Sequence, residues 1–314
     1  MKRAILILIS ILGVFRCFGQ RELSISVRNK ENKRIPYALV ILKNAEFAFN
    51  TDKKGNSVFF LKDSQIDTLL VKAQGFEDLT VSIPKEGKDL IINLTEETHP
   101  NLKAARRNSA KVKPSELNGI DKDSVFYFIG LGKRYENPNY LQYAQKFVIE
   151  KAGSALTSVT VNRLVLFLRN DGFDADLKRA MFRIRLYTLD SLSDTPGKEF
   201  CNEVIQVVDT VQKVVKIDLS KYKITIPTAA FFVAIEVLRI PYNEQLVLLN
   251  KHGIAYDAPP HTLDRGNIFQ PFIGLLPRGK QNGAWVLTIK NEWKQYKYFP
   301  DKSTNFAISA TVVP

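Results

Sequence analysis

The dominant pattern along this chain of 314 residues is an alternation of apolar and polar positions with a period of two. Successive side chains of a β-strand point to opposite faces of a sheet, so this period is typical of half-buried strands. The chain shows no long stretch with the apolar spacing of an amphipathic helix. In its first part the alternation predicts strands at Glu22–Arg28, Tyr37–Lys43, Ser57–Leu61, Thr68–Lys72, Leu79–Ile83 and Asp89–Leu94.

Turn-forming residues separate these strands, most clearly at Asn29–Lys33, Lys53–Asn56 and Pro84–Gly87. Gly55 is expected to supply a positive φ. Asp52 is expected to hold the same turn by accepting hydrogen bonds from nearby backbone amides. Short strands with turn signals between them predict a small β-sandwich over residues 20–95.

A second strand-rich region covers residues 123–314. So many strands in one region predict two packed antiparallel sheets, and hence a larger jelly-roll-like sandwich. The whole chain is therefore expected to be all-β. The strands predicted in the second region are Leu141–Ile149, Val159–Arg169, Ala180–Leu189, Val214–Leu219, Ala230–Leu238, Asn267–Leu275, Trp285–Ile289, Trp293–Phe299 and Phe306–Val312.

The alternation stops between the two regions, over residues 96–122, where small, polar and basic residues predict a linker. Two interpretations of its positive charge stay open. It is either a solvated tether or a contact with an anionic surface. The basic residues concerned are Lys103, Arg106, Arg107, Lys111 and Lys113.

The first 19 residues have the parts of a secretory signal peptide: basic residues at positions 2 and 3, the apolar run Ala4–Phe15, and Gly19 at the cut. This predicts export and no transmembrane segment in the mature chain. Arg16 stands where a lipoprotein signal carries a small residue, which disfavours lipidation of Cys17. Cleavage leaves Cys201 as the single cysteine, so no intrachain disulfide is expected.

The net charge of +13 falls to +10 when the signal, with its three basic residues and no acid, is removed. A basic surface of this kind favours polyanions. Nucleic acid is not expected as a partner, because the chain is exported and carries no recognisable nucleic-acid motif. The basic residues alternate with apolar ones, as in Arg183–Leu186, Lys213–Ile217 and Lys294–Tyr298, which indicates solvated sheet faces.

Three segments of the first region form a recognisable pattern of strand, Thr-Asp-x-x-Gly turn, strand, and strand ending in Gly-aromatic: Arg34–Leu42, Asn50–Phe59 and Asp67–Phe76. In this order they resemble the carboxypeptidase regulatory-like domain. The resemblance implies a transthyretin-like Greek-key sandwich that serves exported proteins as a non-catalytic spacer or binding unit.

A series of segments in the second region resembles a C-terminal region that is joined to this domain in exported Gram-negative envelope proteins. That resemblance carries no residue-specific function. The segments are Phe182–Tyr187, Pro196–Lys198, Ile217–Tyr222 and Phe231–Glu236.

The residues give no sign of a catalytic metal. A metallocarboxypeptidase needs a His-x-x-Glu pair, but the residues three positions after His99, His252 and His261 are Leu, Ala and Asp. His252 and His261 alone would bind a metal weakly. The acidic run Asp171–Asp176 offers oxygen ligands for calcium, although it lacks EF-hand spacing, and the alternative is a solvated hairpin loop.

The sequence also lacks a nucleophile elbow and a phosphate-binding glycine loop, so we predict no catalytic residue and no cofactor. A glycosidase remains an alternative, because its two carboxylates need only meet in space. The acids available for that role are Asp190, Asp194, Glu236 and Glu244.

An aromatic cluster near the C-terminus is the predicted ligand site: Trp285, Trp293, Tyr296 and Tyr298, with lysines between them. On a strand, Trp293 points away from the two tyrosines, so one face can be buried while the tyrosines meet solvent. Exposed rings beside hydrogen-bonding side chains suit the apolar faces of sugars. Packing in the core or at a sheet edge is the alternative.

These patterns predict an exported protein of the cell envelope that binds a glycan or another envelope protein without catalysis. It is expected in the periplasm, at the outer-membrane surface or outside the cell. Two alternatives stay open. One is an enzyme that cleaves glycosides or peptides and uses the first sandwich as a spacer. The other is a structural component of an outer-membrane uptake or export assembly.

Overall fold

The computed structural model describes residues 21–43, 47–61, 68–84, 86–97, 113–129, 139–170, 173–201, 207–250, 253–254, 264–277 and 282–314. The predicted signal peptide, the three histidines, residues 98–112 of the predicted linker and the side chains of the acidic run Asp171–Ala175 lie outside this description. Among the residues described, no helix is long and apolar enough to cross a membrane.

The first sandwich is built from two sheets, in the orders β4-β1-β7 and β3-β2-β5-β6. The pairing of β1 with β7 is parallel, whereas β1 pairs with β4 antiparallel. Apolar side chains from both sheets, including Val27, Val40 and Val71, form one core. The strands are β1 (Arg21–Asn29), β2 (Leu39–Leu42), β3 (Phe47–Asn50), β4 (Asn56–Leu61), β5 (Thr68–Lys72), β6 (Leu79–Ser82) and β7 (Asp89–Leu94).

The turn before β4 has the predicted chemistry. Asp52 Oδ1 accepts hydrogen bonds from the backbone N–H groups of Lys54 (2.7 Å) and Asn56 (2.9 Å). Gly55 has a φ of +72°, and a Cβ atom there would lie 2.8 Å from the carbonyl oxygen of Ile35. Both predictions for this turn are confirmed.

In the part of the second sandwich that the structure describes, the remaining strands are accompanied by two short 3₁₀-helices, at Lys122–Ser124 and Ser220–Tyr222. Its strands are β8 (Ser115–Leu117), β9 (Tyr127–Phe128), β10 (Tyr140–Val148), β11 (Ala155–Asn162), β12 (Phe167–Asn170), β13 (Phe173–Asp176), β14 (Ala180–Leu189), β15 (Pro196–Glu199), β16 (Val208–Thr210), β17 (Val214–Asp218), β18 (Ile224–Thr225), β19 (Ala230–Val237), β20 (Glu244–Asn250), β21 (Gly253–Ile254), β22 (Asp264–Phe269), β23 (Gly274–Pro277), β24 (Ala284–Thr288), β25 (Trp293–Gln295), β26 (Thr304–Phe306) and β27 (Ile308–Val313).

A sheet of seven strands forms one layer of this sandwich, in the order β15-β14-β19-β10-β24-β25, with β16 beside β14. The opposite layer consists of the sheet β17-β11-β27-β8, with β18 beside β11, and of the sheet β26-β23-β9. Large apolar side chains such as Phe182, Phe231 and Phe306 fill the space between the layers. The expectation of an all-β, sandwich-like fold is therefore confirmed.

Among the differences between the structure and the predicted elements, three concern the linker and the long strands of the second region. The segment 115–117, predicted as linker, is strand β8, and Asn118 anchors it by donating to the carbonyls of Phe306 (3.1 Å) and Ile308 (2.8 Å). The long strand predicted at Val159–Arg169 is divided into β11 and β12. The strand predicted at Asn267–Leu275 is interrupted at Pro271, which has no N–H to donate to a sheet.

Arg163, which follows β11, is fully buried. Its guanidinium donates to backbone carbonyls, at 3.0 Å for Leu164, 3.2 Å for Thr210 and at closer range for Lys178. Burial lowers its pKa to about 10, so the group is still charged at neutral pH. It therefore holds together chain segments that the sheets themselves do not pair.

We expect Arg163→Met to destabilise the protein, because the buried carbonyl groups lose their donor while the volume of the side chain is largely kept. The cost should be about 2 kcal/mol, the scale of one or two orphaned buried acceptors. Urea unfolding measures it, with the exposed Lys213→Met as control. A variant as stable as the wild type would show that these hydrogen bonds are compensated.

The two sandwiches pack directly on each other. Leu39 and Ile41 of β2 and Ala48 of β3 form an apolar cluster with Leu287 and Ile289 of the second sandwich. The side chains of β2 and β3 project from the outer face of the sheet β3-β2-β5-β6. They pack on part of the outer face of the seven-stranded sheet. Each sandwich therefore buries a second apolar surface besides its own core.

Hydrogen bonds of Asn50 fasten this contact. Its backbone N–H donates to the carbonyl of Arg239 at 2.9 Å, and its Oδ1 accepts from the N–H of Arg239 at 2.7 Å. The Asn50 Nδ2 group donates to the carbonyl of Tyr37 at 3.1 Å. The last residue of β3, in the first sandwich, is thus hydrogen-bonded to the backbone of the second sandwich.

Candidate functional site

Ionic side chains occupy the middle of the outer face of the seven-stranded sheet. Arg183 and Arg185 project from β14, and Glu236 projects from the neighbouring strand β19. All three are buried, and a carboxylate oxygen of Glu236 lies 3.5 Å from each guanidinium. The prediction of a solvated face at Arg183–Leu186 was therefore wrong, because the first sandwich covers this face. The exposed lysines 216, 294 and 297 do follow the predicted pattern.

Glu199 of β15 completes this ionic cluster. It takes two hydrogen bonds from Arg185, from Nε at 2.9 Å and from Nη2 at 2.6 Å, in the fork geometry that favours strong pairing. Burial alone would lower the pKa of Arg185, but Glu199, Tyr187 and Glu236 together raise it well above its usual value. The first sandwich joins the cluster through Gln74, whose Nε2 donates to Glu199 at 3.0 Å.

Beside the ionic cluster lies an aromatic pair. The hydroxyl of Tyr187 donates to Gln142 Oε1 at 2.9 Å, and burial raises the pKa of this tyrosine far above its ordinary value. The ring of Trp293 meets Tyr187 edge to face, with ring centroids 5.5 Å apart. Trp293 itself is only half-buried, so part of its indole faces solvent.

A cleft of about 370 Å³ lies where the two sandwiches meet, and it is lined by Arg185 and Glu199 of the ionic cluster and by the aromatic pair. This volume falls within the range of about 300–1,000 Å³ that small-molecule sites occupy. The walls combine aromatic, acidic, basic and amide side chains. Among the residues that line it are Phe76, Asp78, Lys72, Arg185, Tyr187, Gln142, Glu199, Asn291 and Trp293.

Lys72 joins the two walls of the cleft. Its ammonium group lies 2.7 Å from Asp78 in its own sandwich and donates to Asn291 Oδ1 at 3.0 Å in the other. Both partners are exposed, so this link lies at the rim. The floor is therefore rigid and buried, while the rim is polar and accessible.

The structure does not bring the four sequence-predicted aromatic residues together. Trp285 is buried on the outer face against Phe232, and among the described residues only Trp293 of the four lines the cleft. Tyr296 stacks on Phe306 with ring centroids 5.9 Å apart, and Tyr298 lies 5.7 Å from Tyr127.

Trp293 does point away from the two tyrosines, as predicted. Both tyrosines pack partly buried against the core between the sheets, which corresponds to the alternative of core packing. The reason is that β25 is the edge strand of its sheet, and the opposite layer extends beneath it. The predicted binding role of the four residues therefore reduces to Trp293.

The four acids considered for glycoside hydrolysis are not gathered at one site, although Asp190 and Asp194 share one turn. Glu236 is buried between two arginines, and Asp190 closes a turn. The N–H of Leu192 and the hydroxyl of Ser193 lower the pKa of Asp190. Asp194 pairs with Lys146, and Glu244 begins strand β20. None of the four lines the cleft.

Other candidate chemistry is limited in the part of the chain that the structure describes. Cys201 is buried in the core between the sheets of the second sandwich. No group of three or more metal-ligating side chains occurs among these residues. The calcium and histidine interpretations fall on residues outside the description.

The cleft residues that the sequence did not single out are mainly Tyr187, Gln142, Glu199 and Lys72. Arg185 was noted, but as a solvated residue. Each is an ordinary polar or aromatic position of a strand in the sequence. Only the docking of the two sandwiches brings them together, and no local signal reports that contact.

Comparisons with known proteins leave the family open. No protein-family model matches the chain, and no curated protein matches its sequence. A structural likeness exists to the cysteine protease and lectin-like domains of a surface layer associated protein of Clostridium difficile. It has 11% sequence identity and a TM-score of 0.32, and it covers 91% of this chain and 61% of that one.

Proposed function

We propose that the protein is an exported, non-catalytic binding protein of the cell envelope, and that it holds a glycan in the cleft between its sandwiches. The observation that carries this proposal is the half-exposed indole of Trp293 beside a floor of fixed hydrogen-bonding groups. Export and the envelope location rest on the signal-like N-terminus and on the family resemblance of the first sandwich. Cell fractionation with detection of the processed N-terminus tests this location.

The composition of the cleft suits a sugar ring. The C–H face of a pyranose is apolar and packs on an aromatic surface, while the hydroxyl groups at its edge need donors and acceptors. Trp293 offers the surface. Arg185, Glu199 and Gln142 present groups for the edge.

The polar groups of the floor are held in place before any ligand arrives. Arg185 and Glu199 fix each other through two hydrogen bonds, and Tyr187 is fixed by Gln142. Groups that are already ordered lose little conformational entropy when they bind a ligand. This pre-organisation supports specific recognition of a polyhydroxylated molecule.

The same pairing favours binding over hydrolysis. A glycosidase needs one carboxyl group that is free to donate a proton and another that is free to attack or to activate water. Glu199 instead shares its charge with a buried arginine, as does Glu236 behind it. The proposal therefore assigns these carboxylates to holding the ligand and the fold.

Replacing Trp293 by alanine should weaken glycan binding at least about tenfold, since truncating an anchoring aromatic side chain commonly costs about 2 kcal/mol or more. A glycan array on the mature protein identifies the ligand, and isothermal titration measures the affinities. Tyr298→Phe is the matched control, because Tyr298 belongs to the same aromatic cluster of the sequence but lies outside the cleft. Melting curves of all variants verify folding.

If the wild type and Trp293→Ala bind the glycan with equal affinity, the cleft is not the glycan-binding site. Absence of binding to any envelope polysaccharide would overturn the glycan function itself. Release of products from a bound oligosaccharide would replace it by the enzymatic alternative. Stoichiometric co-purification with a membrane complex would favour the assembly alternative.

A further inference from the structure

A second, smaller cavity of about 130 Å³ lies next to the cleft. Ala73 and Phe76 line both spaces, so they form a common wall. Gln74 lines the smaller cavity and also donates to Glu199, which lines the cleft. The two spaces are therefore neighbours on either side of the segment 73–76.

Positive charge distinguishes the smaller cavity. Lys33, Arg34 and Arg183 line it, and none of its lining residues in the described structure is an acid. Lys33 is paired with Glu31 at 2.6 Å, and Arg183 shares Glu236 with Arg185. Arg34 donates to the backbone carbonyl of Lys54 at 3.5 Å, and it forms no ion pair with any described residue.

Unsatisfied buried groups provide a second, independent observation. Gln74 is 2% exposed, and its Oε1 has no hydrogen-bond partner among the described residues. Arg183 is also 2% exposed, and its Nε likewise lacks a partner within the described structure. Buried polar atoms without partners are rare because each costs free energy, so two of the residues that line this cavity carry a donor and an acceptor that the described structure leaves unused.

We propose that this cavity binds an oxyanion group, a carboxylate, sulfate or phosphate, carried by the glycan that occupies the cleft. The proposal rests on the function assigned to the cleft and gives it a substrate class, namely acidic glycans. The anion accepts hydrogen bonds from the exposed guanidinium of Arg34 and from the exposed ammonium of Lys33, and the charge of Arg183 in the same lining adds to the attraction.

The size of the cavity agrees with this assignment. A volume of about 130 Å³ is below the range of about 300 Å³ and above that whole ligands occupy, so it suits one substituent rather than a second sugar chain. Charge-assisted hydrogen bonds to an arginine are also about twice as strong as neutral ones, which gives a single substituent a large share of the affinity.

The test compares three ligands on the full mature protein: a neutral galacto-oligosaccharide, a galacturonate oligosaccharide of the same length, and a sulfated galacto-oligosaccharide. A phosphorylated oligosaccharide and inorganic sulfate and phosphate complete the set. Isothermal titration is done on the wild type, on the double variant Lys33→Gln, Arg34→Gln and on Arg183→Gln. The matched control is Lys30→Gln, Lys53→Gln, which removes two exposed charges of the same sandwich outside the cavity.

We expect at least one acidic ligand to bind the wild type about tenfold or more tightly than its neutral counterpart, the scale of one charged hydrogen bond. The Lys33→Gln, Arg34→Gln variant should lose this preference and keep its affinity for the neutral ligand. The control variant should keep both. Arg183→Gln should also lose the preference, and its melting curve shows whether it still folds.

The outcomes separate this inference from the glycan function. Binding of neutral and acidic ligands with equal affinity, dependent on Trp293, would overturn the anion site and leave the glycan function standing. Binding of sulfate or phosphate alone, lost in Lys33→Gln, Arg34→Gln, would keep the anion site and overturn the glycan function. An equal loss of the preference in the control variant would reduce it to general surface charge and overturn the site.

Discussion

Replacing Arg185 by methionine should lower the free energy of unfolding by about 3–5 kcal/mol, the typical loss when one partner of a buried ion pair is removed. Glu199 loses two hydrogen bonds in this variant, and Glu236 loses one of its two guanidinium neighbours. Both carboxylates then lie in a low-dielectric environment with less compensation. Urea unfolding followed by tryptophan fluorescence measures the loss, because Trp293 contacts Tyr187 beside the cluster.

A second substitution tests the cause. If uncompensated charge dominates, then Arg185→Met combined with Glu199→Met should recover part of the stability, since a buried pair replaced by apolar residues is often tolerated. The control is Lys198→Met, at an exposed position of the strand that carries Glu199. It should change the free energy of unfolding by no more than about 0.5 kcal/mol. A loss below about 1 kcal/mol in Arg185→Met would mean that the cluster is hydrated and contributes little to stability.

Placing a carboxylate in the contact between the sandwiches, with Ile41→Asp, should cost roughly 4 kcal/mol or more, because an unpaired charge is buried. Ile41 is 3% exposed and packs in the apolar cluster that joins the two units. The wild type should unfold in a single transition. In the variant the first sandwich should separate, so that circular dichroism and tryptophan fluorescence no longer coincide.

The chain offers a well-matched control for this experiment. Val40 precedes Ile41 on the same strand but faces the core of the first sandwich. Val40→Ala should lower the stability of that sandwich without weakening the contact, so its cleft should still bind. Both tryptophans belong to the second sandwich, which makes their fluorescence a probe of that unit. Coincident transitions in Ile41→Asp would show that the two sandwiches are not coupled through this cluster.

Much of the strand placement follows from the alternation of the sequence. The segments Thr68–Lys72, Asp89–Leu94 and Ala180–Leu189 have the predicted bounds. They are regular strands with one face in a core, and local patterning reports such a face directly. Short edge strands such as Pro196–Glu199 escaped prediction, since their pairing depends on a neighbour distant in the chain.

One feature of the sequence does reflect the contact between the sandwiches. The run Leu39–Leu42 is apolar at every position, which means that both faces of this strand are buried. The sequence does not say what covers the second face. Arg183 and Arg185 show the converse case. They alternate with apolar residues like solvated side chains, and only the cover supplied by the other sandwich makes them buried.

The candidate cleft therefore could not be predicted from local sequence patterns. Its walls come from segments separated by long stretches of chain, as in the pair Gln74 and Glu199. The aromatic cluster of the sequence included Trp293, which lines the cleft. It grouped that residue with Tyr296 and Tyr298, which the sheet directs to the opposite face.

The link between Lys72 and Asn291 has a thermodynamic consequence for the whole molecule. A ligand that contacts both walls of the cleft stabilises the contact between the sandwiches, because it binds fully only while the two sandwiches stay docked. By mass action it then protects the assembled state, by about 2.7 kcal/mol when its concentration is 100 times its dissociation constant. Binding of a ligand in the cleft should thus raise the resistance of the protein to heat and to proteolysis.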